Sequence, residues 1–251
     1  TGMVIFYDGT DLVGASPLNG SFQASLTTSS LPTGWRGITA RYLGDANNAS
    51  STSASPRWQT VKPRPDNGKL KVFILAGQSN MQGKGRVETG RDPNNLNGAN
   101  IAGGLGSLRH MLVVNTNKYG YLADTNNPTT STVPGWRTMT NVWVTYWSDS
   151  GGENRRGNLD ADFGDGGGQG RVGPEYGFGL VAGSQLGDQV LLIKTAWGGK
   201  SLKVDFRPPS SGGTVGPYYT NMVGIVHRVL KNLGTTYFPG YSGGGYEIVG
   251  F

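Results

Sequence analysis

Ser79 is the residue of this chain whose surroundings point most directly to chemistry. It stands in the order Gly-Gln-Ser-Asn-Met at residues 77–81, which directly follows the apolar run at residues 71–76. A serine between a buried strand and a helix exposes its hydroxyl, and backbone N–H groups at such a turn can stabilise an oxyanion. Met81 replaces the second glycine of the Gly-x-Ser-x-Gly elbow. Ser79 is therefore a candidate nucleophile, with an ordinary helix N-cap as the alternative.

A pair of glycines forms the second candidate block. Gly198 and Gly199 follow another apolar run, at residues 189–196. Glycine lets the backbone approach a reacting group closely, so an N–H of this pair could donate to an oxyanion beside the nucleophile. A tight turn between strand and loop is the alternative, and the pair gains weight only together with Ser79.

These two blocks resemble the sialate O-acetylesterase-like branch of the SGNH hydrolases, carbohydrate esterases whose first block reads Gly-Gln-Ser-Asn-Met. The resemblance implies that Ser79 attacks an acetyl ester of a sugar and that the N–H groups of Ser79 and Gly199, next to Gly198, hold the oxyanion. It implies no metal and no organic cofactor, and its partner is an acetylated carbohydrate.

Further residues in and near these blocks are expected to contact the substrate: Gln78, Asn80, Trp197, Lys200 and Glu175. Core packing is an equal alternative for Trp197. A structural role in the first helical turn, where the helix dipole favours a carboxylate, is the preferred interpretation of Glu175.

A serine hydrolase also needs a base, usually a histidine oriented by a carboxylate. The chain has two histidines, His110 and His227, and neither stands in the Asp-x-x-His arrangement that the resemblance implies. The third block of the resembling family, with an oxyanion Asn, would follow a strand like residues 246–251. We therefore expect a chain truncated at both ends, without its catalytic base and inactive by itself.

The elements that must position these groups alternate between strands and helices. Apolar runs predict strands at residues 70–76, 141–148, 189–196 and 246–251, and helical spacing predicts helices at 174–186 and 219–233. Such alternation predicts an α/β domain with a parallel sheet and helices on both faces. The resemblance implies the flavodoxin-like, three-layer α/β/α fold of SGNH hydrolases, incomplete at the C-terminus.

Residues 1–61 have a different character, with short strands and a turn signal every 8–12 residues, as in a β-sandwich. The order Phe-Tyr-Asp-Gly-Thr at residues 6–10 and Tyr-Leu-Gly-Asp-Ala-Asn at 42–47 resembles a bacterial Ig-like repeat, here a partial one. Residues 62–68, which contain two prolines, predict a stiff linker. The second domain then spans residues 69–251.

Composition narrows the function. The 251 residues carry a net charge of +6 without a basic stripe, so we expect no nucleic-acid partner. No run approaches the ~20 apolar residues of a membrane span, and no cysteine is present. An Ig-like repeat joined to a carbohydrate esterase predicts an extracellular or cell-surface protein.

Three other interpretations remain open. The chain could be a non-catalytic carbohydrate-binding or adhesion protein on the same fold. Residues 168–173 formally match the dinucleotide fingerprint, although no strand precedes them. Asp160, Asp162 and Asp165 could bind Ca²⁺, although solvated loop carboxylates are the simpler explanation.

Overall fold

The computed structural model describes residues 2–28, 30–32, 34–61, 68–92, 94–124, 135–148, 152–186, 188–238, 241 and 243–251. Apart from Gly68, the predicted linker therefore lies outside the described residues.

The N-terminal region forms one antiparallel sheet. Its strands are β1 (Met3–Asp8), β2 (Asp11–Pro17), β3 (Gly34–Tyr42), β4 (Ser51–Thr52) and β5 (Arg57–Val61). β1 pairs with one side of β3, while β4 and β5 lie end to end along its other side. The described strands of this region therefore form a single layer with β3 at its centre. They do not form the second sheet that a β-sandwich would have.

The second region begins with the strand and helical turn that carry Ser79. In chain order its first elements are β6 (Leu70–Gly77), α1 (Ser79–Gln82), β7 (Gly85–Arg86), β8 (Thr89–Asp92), β9 (Asn95–Ala102), α2 (Leu108–Val114), α3 (Thr116–Tyr119), β10 (Ala123–Asp124) and β11 (Gly135–Trp136). The stretch between α1 and β12, for which the sequence predicts no elements, is therefore built from short strands and helices.

The remaining elements contain the other long strands and helices. They are β12 (Met139–Trp147), β13 (Glu153–Leu159), β14 (Arg171–Val172), α4 (Pro174–Gln185), β15 (Val190–Ala196), α5 (Pro217–Lys231) and β16 (Tyr246–Gly250). A π-helical turn over residues 233–237 follows α5. No helix in the described part of the chain is both long and apolar enough to cross a membrane.

The central sheet has the strand order β13-β12-β15-β6-β16. β12, β15, β6 and β16 are parallel, and β13 is an antiparallel edge strand. The chain places β12 and β15 on one side of β6 and then returns to place β16 on the other. The order therefore reverses at β6, and such reversals open a crevice at the carboxyl ends of the strands. Ser79 follows β6 directly.

Two helices cover opposite faces of this sheet. Leu192 of β15 packs in the cluster that contains α4, whereas Leu191 and Ile193 pack in the cluster that contains α5. All seven residues of β15 are buried, as a near-continuous apolar run in a covered parallel sheet requires. The predicted mixed α/β organisation is therefore present.

Helix α4 approaches the sheet with a face that its sequence does not indicate. Its apolar pattern predicts a buried face of Phe178, Val181 and Ala182. Ala182 is buried, but Phe178 and Val181 are 39% and 49% exposed. Gly179 and Gly183 face the sheet instead, and a Cβ at Gly183 would lie 2.3 Å from Cγ2 of Val142. Two glycines four residues apart let the helix backbone come closer than larger side chains would allow.

Helix α5 agrees with its predicted pattern except at its end. Met222, Val226 and Val229 are buried, as their spacing predicts. The helix ends at Lys231 and the chain continues into the π-helical turn, so Gly234 does not cap it. His227 lies on the exposed side of this helix.

Candidate functional site

Ser79 is the first residue of α1, a single helical turn at the carboxyl end of β6. Its backbone N–H and its hydroxyl both donate to Oε1 of Gln78, at 3.0 and 2.6 Å. Gln78 is therefore the N-cap of this turn. The N–H that the sequence assigns to the oxyanion is engaged by Gln78, so this amide oxygen has to move away before Ser79 can donate to an oxyanion.

The glycine turn leaves β15 beside the serine turn. Trp197 donates its N–H to the carbonyl of Gly77 at 3.0 Å, so the two segments start side by side. A Cβ at Gly198 would lie 2.9 Å from Oε1 of Gln82, whereas a Cβ at Gly199 would meet no heavy atom within 4 Å. The close approach expected of this pair is therefore made by Gly198. The role of Gly199 is conformational, because its φ of +71° lies in the left-handed region that favours glycine.

A pocket of about 460 Å³ opens beside Ser79. It is lined by the serine turn, the segment after it, and the start of α4: Ser79, Asn80, Gly83, Lys84, Gly85, Val172, Gly173 and Pro174. Asn80, one of the residues expected to contact the substrate, therefore lines the pocket. The pocket has room for a small ester group, and Ser79 is only partly buried in its wall.

Trp197 and Lys200 do not line this pocket. Trp197 is 2% exposed and packs against the rings of Phe206 and Tyr218, with centroids 5.8 and 5.2 Å away. The ammonium of Lys200 lies 4.5 Å from the centre of the Tyr218 ring and 4.0 Å from Oδ1 of Asp205. The structure thus supports the core-packing alternative for Trp197 and places the ammonium of Lys200 between its own loop and Tyr218 of α5.

Glu175 lies beneath the pocket and not on its surface. Its side chain is fully buried, with Oε2 2.7 Å from Nζ of Lys194, whose side chain is equally buried. Its other oxygen accepts the N–H of Gly173 at 2.9 Å. Burial raises the pKa of Glu175 and lowers the pKa of Lys194, and the attraction between them opposes both shifts. The structure therefore does not support a substrate contact by Glu175. It supports a structural role for this residue at the start of α4.

Lys194 lies next to the candidate site, although the sequence did not suggest a role for it there. It also donates to the carbonyls of Gln82 and Phe163, at 2.9 and 2.7 Å. Its position was itself a signal, because a lysine inside the apolar run of β15 can be buried only with partners. The sequence does not reveal which partners these are.

The two histidines provide no base for Ser79 in this structure. His110 lies on α2, where its backbone N–H donates to Oγ of Ser107 at 3.0 Å. His227 is exposed on α5. Across the described ranges, neither imidazole has a hydrogen bond or ion pair with Ser79.

The three aspartates considered for calcium have other partners. Asp160 pairs with Arg155 through two contacts of 2.7 Å. Asp162 accepts a backbone N–H from residue 171, and Asp165 lies 3.7 Å from Nζ of Lys84. Within the part of the chain that the structure describes, no group of three or more His, Asp or Glu side chains is gathered as for a metal ion.

The glycine loop at residues 168–173 does precede a helix, α4. The long strand before it is β13, which is an antiparallel edge strand and not part of a βαβ unit. The N–H of Gly173 at the helix start is already accepted by Glu175. The requirements for a dinucleotide site are therefore not met.

Comparison with protein-family models gives two matches. Residues 1–62 match the bacterial Ig-like domain (group 3), and residues 69–238 match the carbohydrate esterase, sialic acid-specific acetylesterase family. Searches of curated proteins and of solved structures found no match. The second family match covers more than half of the chain. An Ig-like domain is thus followed by an esterase domain, and the chain belongs to the carbohydrate esterase family of sialic acid-specific acetylesterases.

Proposed function

We propose that this protein is a serine esterase that removes acetyl groups from carbohydrate, with Ser79 as its nucleophile. The observation that carries the proposal is the position of Ser79. It follows the strand at which the sheet order reverses, beside a glycine turn and a pocket of about 460 Å³. Binding sites in open α/β sheets gather at this position. The proposed fold is the flavodoxin-like, three-layer arrangement of SGNH hydrolases.

The proposed reaction proceeds through an acyl-enzyme. Oγ of Ser79 bonds to the acetyl carbonyl carbon while its proton passes to a base. The N–H groups of Ser79 and of the turn at Gly198 and Gly199 hold the oxyanion. The bond to the sugar oxygen then breaks, and that oxygen takes the proton. Water attacks acetyl-Ser79 and releases acetate, which restores the hydroxyl.

The base is a group other than the two histidines of this chain, since neither contacts Ser79. We therefore expect residues 1–251 to form acetyl-Ser79 slowly and to turn over poorly. A small external base, such as imidazole, should accelerate the acetylation, because it supplies the proton acceptor that the described site lacks.

The test is to incubate the 251-residue protein with 4-nitrophenyl acetate, with and without imidazole, and to map acetylated peptides by mass spectrometry. Wild-type protein should carry an acetyl group on Ser79, and Ser79→Ala should release nitrophenol at the background rate. Ser211→Ala, which changes an exposed serine elsewhere, is the matched control and should behave as wild type. Equal nitrophenol release by Ser79→Ala and wild type would remove Ser79 as the nucleophile. Fast, Ser79-dependent turnover without imidazole would show that the chain supplies its own base.

A second candidate is a non-catalytic carbohydrate-binding or adhesion protein. It is favoured by the hydroxyl of Ser79, which donates to Gln78 and not to a base. In that case acetylated sugars would bind to wild type and Ser79→Ala alike, and neither would acquire an acetyl group. For both candidates, the Ig-like domain supports an extracellular or cell-surface location.

A further inference from the structure

The buried pair of Lys194 and Glu175 lies directly under the segments that form the proposed site. Both side chains are fully inaccessible to solvent, and their charged atoms are 2.7 Å apart. An ion pair removed from water in this way is costly unless its remaining hydrogen-bonding groups are also satisfied. Its partners therefore indicate what the pair holds in place.

The ammonium of Lys194 has three N–H donors, and three acceptors surround it. These are Oε2 of Glu175 at 2.7 Å, the carbonyl of Phe163 at 2.7 Å and the carbonyl of Gln82 at 2.9 Å. The group also lies 4.3 Å from the centre of the Tyr146 ring. Lys194 is thus fully satisfied, and one of its bonds fixes the last residue of the helical turn that starts at Ser79.

Glu175 fixes the opposite wall of the same pocket. Its second oxygen accepts the N–H of Gly173, the residue before α4. Gly173 in turn contacts the end of the serine turn, since a Cβ at Gly83 would lie 2.2 Å from Cα of Gly173. Both glycines line the pocket beside Ser79.

Gln82 links the same turn to the glycine turn. Its side chain is 2% exposed, and its Oε1 lies where a side chain at Gly198 would collide with it. A shift of Gln82 would therefore move both the helical turn of Ser79 and the neighbouring oxyanion donors. The carbonyl of this residue is the group that Lys194 holds.

We propose that Lys194, oriented by Glu175, is a positioning residue that fixes the serine turn relative to the glycine turn. The inference rests on the proposed esterase function, in which a displacement of about 1 Å can cost a hundredfold in rate. Lys194 does not reach the pocket surface and takes no part in bond making.

The test uses the double variant Lys194→Met/Glu175→Gln, which removes both charges together so that neither is left buried alone. The acetylation of Ser79 by 4-nitrophenyl acetate should slow about tenfold or more, with the half-saturating ester concentration unchanged. Amide hydrogen exchange across residues 79–85 should accelerate by a similar factor, about tenfold, because local opening becomes easier. The matched control is Lys71→Met/Glu247→Gln/Asp188→Asn, which removes the buried lysine at the amino end of β6 together with the two carboxylates that lie within 4.0 Å of it.

The control should leave both the acetylation rate and the exchange of residues 79–85 close to wild type. A folded Lys194→Met/Glu175→Gln protein with wild-type rate and exchange would overturn the inference. If that variant does not fold, Glu175→Gln decides the matter, because it keeps the size of the side chain but replaces one of its two acceptor oxygens by an NH2 donor. It should lower the rate at unchanged half-saturation, and an unchanged rate would overturn the inference. If wild type shows no acetylation of Ser79, the proposed function fails and the exchange comparison alone decides the role of Lys194.

Discussion

The two ends of the central sheet each contain a buried lysine, but they use it differently. Lys71, near the amino end of β6, lies 2.9 Å from Glu247, whose side chain is 48% exposed, and 4.0 Å from Asp188. Lys194, near the carboxyl end of β15, pairs with a fully buried carboxylate and holds two backbone carbonyls. The first lysine joins neighbouring strands, whereas the second joins the loops that shape the pocket. Buried charge at the carboxyl end therefore holds the loops around the pocket, whereas buried charge at the amino end holds neighbouring strands.

The largest expected effect is a difference in stability between the two single lysine variants. Lys194→Met leaves the carboxylate of Glu175 buried without a positive charge beside it and should lower the free energy of unfolding by about 3–5 kcal/mol. Lys71→Met should cost less, about 1–3 kcal/mol, because the carboxylate of Glu247 can return to water and only the longer contact with the buried Asp188, at 4.0 Å, is lost from the interior. Urea unfolding followed by the helical circular dichroism signal measures this difference, since every described helix lies in the esterase domain. Equal losses would show that the two ends are not distinct.

A smaller effect is expected on α4, the helix that carries Glu175. Gly183→Ala should lower the free energy of unfolding by about 1–3 kcal/mol, because its methyl group would collide with Val142. Gly177→Ala on the exposed side of the same helix has free space around its Cβ and should stabilise by about 0.5–1 kcal/mol. The pair of variants separates close packing from helix propensity. The same sign for both would contradict the close approach of α4 to the sheet.

The smallest expected effect concerns Glu88, a half-exposed carboxylate among the loops at the carboxyl end. Hydrogen bonds from Arg109 lower its pKa below the ordinary value of 4.5, partly offset by burial and supported by Trp136. A carboxyl group whose pKa is lower in the folded protein stabilises the fold above its unfolded pKa, and this stabilisation is lost as the pH falls through the folded value. The melting-temperature advantage of wild type over Glu88→Gln should therefore shrink between about pH 6 and about pH 3.

A constant difference across this pH range would show that Glu88 contributes through shape and not through charge.

Glu175 behaves in the opposite way, because burial raises the pKa of that carboxyl group. Two carboxylates near the same end of the sheet thus have pKa shifts of opposite sign, one set by hydrogen bonds from the buried Arg109 and the other by desolvation.

The sequence predicted the parts of the fold that follow from local patterns. Long apolar runs predicted the strands β6 and β15 with an error of one residue at one end of each, and the alternation of strands with helices predicted the mixed α/β class. The face of α4 could not be predicted in this way, because the residues that face the sheet include Gly179 and Gly183. Hydrophobic periodicity gives no weight to glycine, although close backbone packing depends on it.

The sequence by itself determined that Ser79 and the glycine turn each lie just after a buried strand. Each stands directly beyond a long apolar run, and glycine, which breaks such runs, follows both of them. Only the tertiary structure decided what surrounds them. It engaged the N–H of Ser79 with Gln78, buried Trp197 among aromatic rings, and paired Lys194 with Glu175. Lys194 and Gln82 are 112 positions apart in the chain. A hydrogen bond across such a separation depends on how β6 and β15 are paired, which no local pattern records.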